Sequence, residues 1–378
     1  MKSTPSQAKG KTSSVGSHVR KTTPPQANEL EFSLFGPGMG ECVVVHLGSG
    51  EWMIVDSCIN GETGRPIALD YLDLIGVDVA KQVKLVLITH WHDDHIRGVG
   101  EIVREAPNAK FGCSAAIRNE DFCSLVKMSK RIKLVSHMPG LAEFDDVLST
   151  KTNGPDIWMD ESKLVYVGGG VPPVKVHSLS PSAKTITNAV GNFATMMKGV
   201  KTQNRQPFPS VAPNDQSVVL LVETKDVHLL LGADLEHSAG PNTGWNAVIA
   251  CGTRPKILSS GYKVAHHGSH NGDMPGIWTQ LNHANPHALL TTYSRGRKPL
   301  PSDADVKRLK SQTNQAYCTV WPVTQRPKNR TPVDRTINQV VKNRQAVLKR
   351  PGHIRLRVPL AGKPNQIVVD LFNNAKKL

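Results

Sequence analysis

An α/β fold is predicted for this chain by three features of its sequence. Short runs rich in Val, Ile and Phe, bounded by Gly, Pro and polar turns, read as strands, and stretches with apolar residues at helical spacing lie between them. Three of the strand-like runs, "VKLVLITH", "NDQSVVLLVETKDVHLLLGADLE" and "ILSSGYKVAHHGSH", end in residue types that ligate metals. A sheet whose strands end together gathers such side chains on one edge. At 378 residues the chain is long enough for one large domain or two ordinary ones, with a sizeable buried core.

Taken in order, residues 1–28 are rich in Lys, Ser, Thr, Pro and Gln and read as a disordered basic tail. Folding begins at "LEFSLFGPGMGECVVVHLGSGEWMIVDSCI", three β-rich runs cut by "GPGMG" and "GSG" turns, a pattern that predicts a β-meander. "PIALDYLDLIGVDV" has helical spacing, "VKLVLITH" is a buried strand, and "HIRGVGEIVREA" reads as a helix. Residues 110–165 mix helical and strand-like pieces, after which "SKLVYVGG" and "VKVHSLSP" look like strands. Residues 182–213 lack a steady period and are read as a mobile excursion beside the site. Beyond the two later ligand-bearing segments come "HALLTTYS", a helix in "SDADVKRLKSQ", then the strand-like "AYCTVWPV", "GHIRLRVPL" and "NQIVVDLF". The expected domains are a tail over 1–28, a main domain over 29–312, and a basic extension over 313–378 that completes the sheet or forms a small β-appendage.

Six cysteines without C-x-x-C spacing (Cys42, Cys58, Cys113, Cys123, Cys251, Cys318) fit a reducing compartment. No segment reads as a signal h-region, and no apolar run approaches 20 residues. A cytoplasmic protein with no membrane partner is the expectation. The formal charge of +15 is unevenly spread: residues 1–28 hold five Lys/Arg and no acids, and residues 295–378 hold nineteen against four. Basic ends around a mildly acidic middle suit a polyanion such as nucleic acid, because each neutralised phosphate releases counterions. A solvated, solubilising surface explains the same charge.

"THWHDDH" is the densest chemistry in the chain. His90 and His92, two apart, point the same way if the chain stays extended after its strand, and Asp94 and His95 can face the same cavity from a turn. Zinc accepts such nitrogen and carboxylate ligands and keeps an open position when catalytic, whereas closed structural sites favour cysteine. Manganese is a plausible substitute.

These residues resemble the H-x-H-x-D-H signature of the metallo-β-lactamase fold. "MIVDSC" is similar to the strand and aspartate of that fold's first motif, "LLLGADLE" to its bridging-aspartate motif, and "YKVAHHGSH" to its later histidine. The set N-D-x-S-x-V-L, G-x-D-x-E and H-H-G-S resembles the hydrolase domain of ComEC-type competence proteins and their soluble relatives, over residues 30 to about 312. The resemblance implies an αββα sandwich of two mixed β-sheets flanked by helices, with the site where strands end. It implies two divalent ions: His90 and His92 on one, Asp94, His95 and His266 on the other, Asp234 bridging. Asp56 would orient a ligand histidine, and His267 would donate a proton or contact phosphate. Asp94, Asp234 and His267 are thus the expected catalytic groups. Without the metals, Asp234 reads as a helix cap and His267 as an ordinary hydrogen-bonded histidine.

The chain also departs from the pattern. A third histidine for the first ion is not evident; His137 and His177 are available, and Asp215 of "NDQS" could reach the metals instead. The opening "GQGD" of ComEC-like proteins is here "GMGEC", and their late histidine before proline is Leu300. The function expected is nuclease-type phosphodiester hydrolysis, DNA favoured, with two metal ions activating water and Arg295, Arg297 and Lys298 gripping the phosphate backbone. The alternatives are a small-molecule ester, lactone or lactam hydrolase, and a nucleic-acid-binding module with reduced turnover.

Overall fold

A computed structural model describes residues 22–36, 40–129, 140–201, 213–294, 299–322 and 350–378. Most of the basic tail, His137, Arg295, Arg297 and Lys298 lie outside the described residues.

The glycine-punctuated start forms the meander: β1 (Glu29–Gly36), β2 (Cys42–His46) and β3 (Trp52–Val55) run antiparallel. β4 (Val83–Ile88), β5 (Lys110–Ser114) and β6 (Ile157–Met159) then add in parallel. The crossovers between them hold α1 (Ile67–Leu74), α2 (Val79–Gln82), α3 (Asp93–Ile96), α4 (Val99–Glu105), α5 (Glu120–Ser129) and α6 (Gly140–Thr150). "HIRGVGEIVREA" is therefore not one helix. Gly98, left-handed at φ +82, separates α3 from α4.

The second sheet opens with β7 (Lys163–Val167) and β8 (Lys175–Ser178), followed by α7 (Ala183–Lys201), and continues with β9 (Leu220–Glu223) and β10 (His228–Leu231). These four strands are antiparallel. Past α8 (Gly244–Ala250), the strands β11 (Ser259–Lys263), β12 (Asn282–Leu290) and β13 (Ala316–Cys318) run parallel to β10, with α9 (Pro275–Gln280) and α10 (Asp303–Gln312) in the crossovers. The last strands serve both sheets. β14 (Gly352–Pro359) pairs with β1 from Gly36↔Gly352 to Glu29↔Pro359, β15 (Val368–Phe372) pairs with β14, and β16 (Lys376–Lys377) pairs with β13.

The central strands of each sheet are buried on both faces, which is why they read as nearly continuous apolar runs. Leu30, Phe32, Leu34, Val43, Val45, Leu85 and Leu87 face Leu220, Val222, Leu229 and Leu231 between the sheets. Their neighbours in sequence point outward. Val44, Ile54, Val86 and Ile88 meet Leu69, Leu72, Ile102 and Val103 of the helices, while Leu221, Leu230 and Tyr262 meet Trp245, Ile277 and Leu309 on the other side. The result is an αββα sandwich of two mixed sheets flanked by helices. No helix among the described residues is long and apolar enough to cross a membrane.

The expected excursion over 182–213 is corrected for its first part: Ala183–Lys201 is a helix of 19 residues. Ala189, Phe193, Met196 and Met197 are buried against the first sheet's helical layer, and this tertiary packing holds a sequence whose own signal is weak.

Candidate metal centre

Strand direction assembles the site. β3 and β4 stop at one edge and deliver Asp56 and the His90–His95 loop; β10, β11 and β12 stop there from the other sheet and deliver Asp234, the His266–His267 turn and Thr291. In parallel sheets, ligands bind beyond the carboxyl ends of the strands. β2 runs the opposite way, so its start brings Glu41. Gly40, at φ +147, permits that entry: the Glu41 N–H donates to the Asp94 carbonyl at 3.0 Å, where a Cβ on Gly40 would crowd the same oxygen. Asp56, Ala233, His266 and His267 are all left-handed, with φ between 46 and 60°. For L-residues this costs roughly 1–2 kcal/mol each and persists where the surroundings hold it.

Hydrogen bonds set the direction of each imidazole. The Asp56 carboxylate accepts from the Thr89 N–H, the Thr89 hydroxyl and His95 Nδ1, each at 2.8 Å. His95 therefore turns a lone pair on Nε2 toward Asp234 Oδ2, 3.4 Å away, and Asp94 Oδ2, 3.9 Å away. His267 Nε2 lies 3.3 Å from Asp94 Oδ2 and 3.5 Å from Asp234 Oδ2. The Thr89 hydroxyl, having given its proton to Asp56, accepts from His90 Nδ1 at 3.0 Å, and His90 Nε2 faces His92 Nδ1 at 3.1 Å.

Of these facing groups, His267 Nε2 and Asp94 Oδ2 are within hydrogen-bond distance of each other, at 3.3 Å. His95 Nε2 and Asp234 Oδ1 are buried without a hydrogen-bond partner, which is costly unless a cation sits among them. Glu41, His95, Asp234 and His267 are buried and offer ligand atoms all within 4.8 Å of one another. Imidazole nitrogens with carboxylate oxygens are a donor set that zinc and manganese accept, so the residues present fit a divalent ion.

The proton equilibria carry the same demand. Burial opposes charge on His95, but Asp234, Glu41, Asp94 and Asp56 outweigh it and raise its pKa well above the usual range. Burial is likewise overcome at His267, raised by Asp234, Asp94 and Glu41. Burial also works against ionising Asp94 and Asp234, yet the facing histidines hold both below the usual carboxylate range. His90 and His92 are lowered, first by burial, so they stay neutral and able to ligate. Protons on His95 and His267, or a metal ion between them and the acids, satisfy the same carboxylates.

His267, expected as a proton donor or phosphate contact, and not His266, the expected ligand, lies with the buried cluster. His267 enters the centre, whereas His266 turns away: its Nδ1 is 3.2 Å from Glu236 Oε1, its Nε2 lies 3.4 Å from the Asn214 amide, and its side chain is 17 % exposed. Two successive left-handed residues roll adjacent side chains to different sides, which no spacing rule reveals. Asp215 lies outside the group of four; burial, then Glu236, raises its carboxyl pKa. His177, on β8, is bound to Glu223 of β9, at 2.9 Å. Sequence reasoning passed over Glu41, Lys263, Thr89 and Thr291. A carboxylate just before the apolar run of β2 and a lysine ending the buried β11 were the available signals. Lys263 is 2 % exposed, donates to the Ala233 carbonyl at 2.8 Å, pairs with Glu41 Oε1 and lies 3.8 Å from Asp234 Oδ1.

Fold and centre together define a two-sheet scaffold with a candidate metal centre at its strand ends. Residues 35–186 match the family model described as the metallo-beta-lactamase superfamily. Among solved structures the chain is similar to the Rm3 metallo-beta-lactamase, at 16 % identity and a TM-score of 0.35, over 66 % of this chain and 82 % of that one. It is similar to MEM-A1, a subclass B3 metallo-beta-lactamase from a soil metagenome library, at 14 % identity and a TM-score of 0.35, over 66 % and 83 %. BJP-1, a subclass B3 metallo-beta-lactamase of Bradyrhizobium japonicum, matches at 16 % identity and a TM-score of 0.30, over 58 % and 68 %. Likenesses this distant say nothing of the substrate. No curated protein matches the chain.

Proposed function

We propose that the chain is a metal-dependent phosphodiesterase acting on nucleic acid, DNA favoured, with two divalent ions, zinc or manganese, at the strand-end centre. The observation that carries the substrate class is charge: nineteen Lys/Arg against four acids over residues 295–378 and five against none over 1–28, in a chain of formal charge +15. Small neutral esters and lactams have little use for such ends, while a phosphate backbone is held by them.

His90, His92, Asp94, His95, Asp234 and His267 would hold the ions. Ions held there would lower the pKa of water toward ~7 and offset the charge that develops in an in-line displacement. The protein's part is orientation and proton handling. Asp56 fixes His95, the Thr89 hydroxyl fixes His90, and Lys263 offsets one of the buried carboxylates. His266, part exposed and backed by Glu236, is placed to contact a phosphate oxygen or to give the leaving oxygen a proton. Arg295, Arg297 and Lys298 remain the proposed phosphate grip.

The test is a substrate panel: single- and double-stranded DNA and RNA beside a chromogenic cephalosporin, with zinc, manganese or magnesium, for the wild type and Asp94→Ala. Metal-dependent cleavage of a nucleic acid, lost in Asp94→Ala, is expected. Cephalosporin turnover with every nucleic acid left intact contradicts the proposal.

A further inference from the structure

We infer that Glu41 is a positioning residue and not a metal ligand: acting through the Thr291 hydroxyl, it fixes which nitrogen His267 presents to the ion. By position alone Glu41 qualifies as a ligand, since its carboxylate lies in the cluster with His95, Asp234 and His267. Both of its oxygens are already engaged. Oε1 pairs with the Lys263 ammonium, and Oε2 accepts from the Thr291 hydroxyl at 2.7 Å. A carboxylate against an ammonium only accepts hydrogen bonds. Thr291 has one proton and gives it to Glu41, so toward His267 Nδ1, 2.9 Å away, its oxygen accepts. The proton of neutral His267 then sits on Nδ1, and the lone pair of Nε2 faces Asp94 and Asp234.

The remaining contacts hold this relay still. Thr291 is fully buried with its methyl group against Gly36, where an added Cβ would meet Cγ2 at 2.7 Å, and the His267 ring stacks on Tyr293 at 5.3 Å between centroids. Lys263 is anchored in turn on the Ala233 carbonyl. The arrangement mirrors Asp56 and His95 on the other sheet. Two buried carboxylates of the first sheet, Asp56 and Glu41, thus orient one imidazole from each sheet, directly at His95 and through a hydroxyl at His267. Groups that orient a ligand histidine typically change metal affinity by roughly 10- to 100-fold when removed.

The inference rests on the reading of the centre as a metal site and is independent of the substrate. Its test uses the full chain stripped of metal and titrated with zinc against a chromophoric chelator, and with cobalt(II) to record the visible spectrum of the bound ion. Thr291→Val is expected to weaken binding by roughly 10- to 100-fold and alter the cobalt spectrum, while Thr291→Ser restores both. Thermal midpoints of the metal-free variants separate this effect from damage to the fold. Glu41→Gln, which keeps the size of the side chain, serves if Thr291→Val does not fold, and is expected to weaken binding in the same range. Wild-type affinity and spectrum in Thr291→Val, with loss confined to Glu41→Gln, would make Glu41 a ligand and overturn the inference alone. A wild-type chain that binds neither ion would remove the metal reading and the inference with it.

Discussion

His266 and His267 are adjacent in sequence and opposite in circumstance. His267 is 2 % exposed and faces Asp94 and Asp234; His266 is part exposed and faces Glu236 and Asn214. Their substitutions should therefore separate binding from turnover. His267→Gln is expected to lose metal, read by elemental analysis after gel filtration. His266→Gln is expected to keep it and to lose about 100-fold in rate, the scale of a lost proton donor. Equal metal loss in both variants would show that the left-handed turn does not divide the two roles. The same turn explains why sequence alone does not separate the pair: "HHGS" shows two histidines after a strand, and left-handed conformation at non-glycine residues is imposed by the surroundings rather than written in residue type.

Among the elements, α10 secures that turn from outside. Arg308 donates to the Gly268 carbonyl at 2.7 Å and to the Asp273 and Asp305 carboxylates at 2.5 Å each, and Ser302 with Asp305 forms the helix's capping box. Burial works against ionising Asp305, yet the Ser302 and Arg308 bonds outweigh it and lower its pKa. A carboxylate lowered in the folded state adds stability above its unfolded pKa of about 3.9, and that contribution is lost as pH falls through the folded value. Asp305→Asn is thus expected to lower the urea midpoint at pH 7 and to have progressively less effect below about pH 4. An effect independent of pH would mean that packing, not charge, secures the cap.

Elements differed in legibility for physical reasons. "VKLVLI" is buried on both faces and shows an unbroken apolar run, and "SDADVKRLKSQ" carries its cap in its first residue, so β4 and α10 were readable. α7 was not. Its buried stripe of Ala189, Phe193, Met196 and Met197 is interrupted by Thr, Asn and Gly, and it is held by the layer beneath it.

At the scale of the molecule, the αββα sandwich was implied by motifs that sit at strand ends, and the structure has that architecture. The loop that carries four of the candidate groups was legible, and Asp234 and His267 were named from the motifs that follow their strands. Glu41, Lys263 and Thr291 lie far apart in sequence, and only the direction of β2, β11 and β12 brings them to the same place. Glu41 and Lys263 escaped notice because each is a charge buried inside an otherwise apolar segment, and such a charge declares itself only through its partner. The charge asymmetry has a different standing: it bears on what the centre meets and not on how it is built.

The central claim is that this centre cleaves nucleic acid with bound metal. Its most direct measurement is the rate of DNA and RNA cleavage as zinc or manganese is titrated back into chelator-stripped protein. Cleavage rising from background and levelling near two ions per chain, and absent throughout in Asp94→Ala, is the expected result. A rate that stays at background while both ions bind, or that is the same in Asp94→Ala, would contradict it.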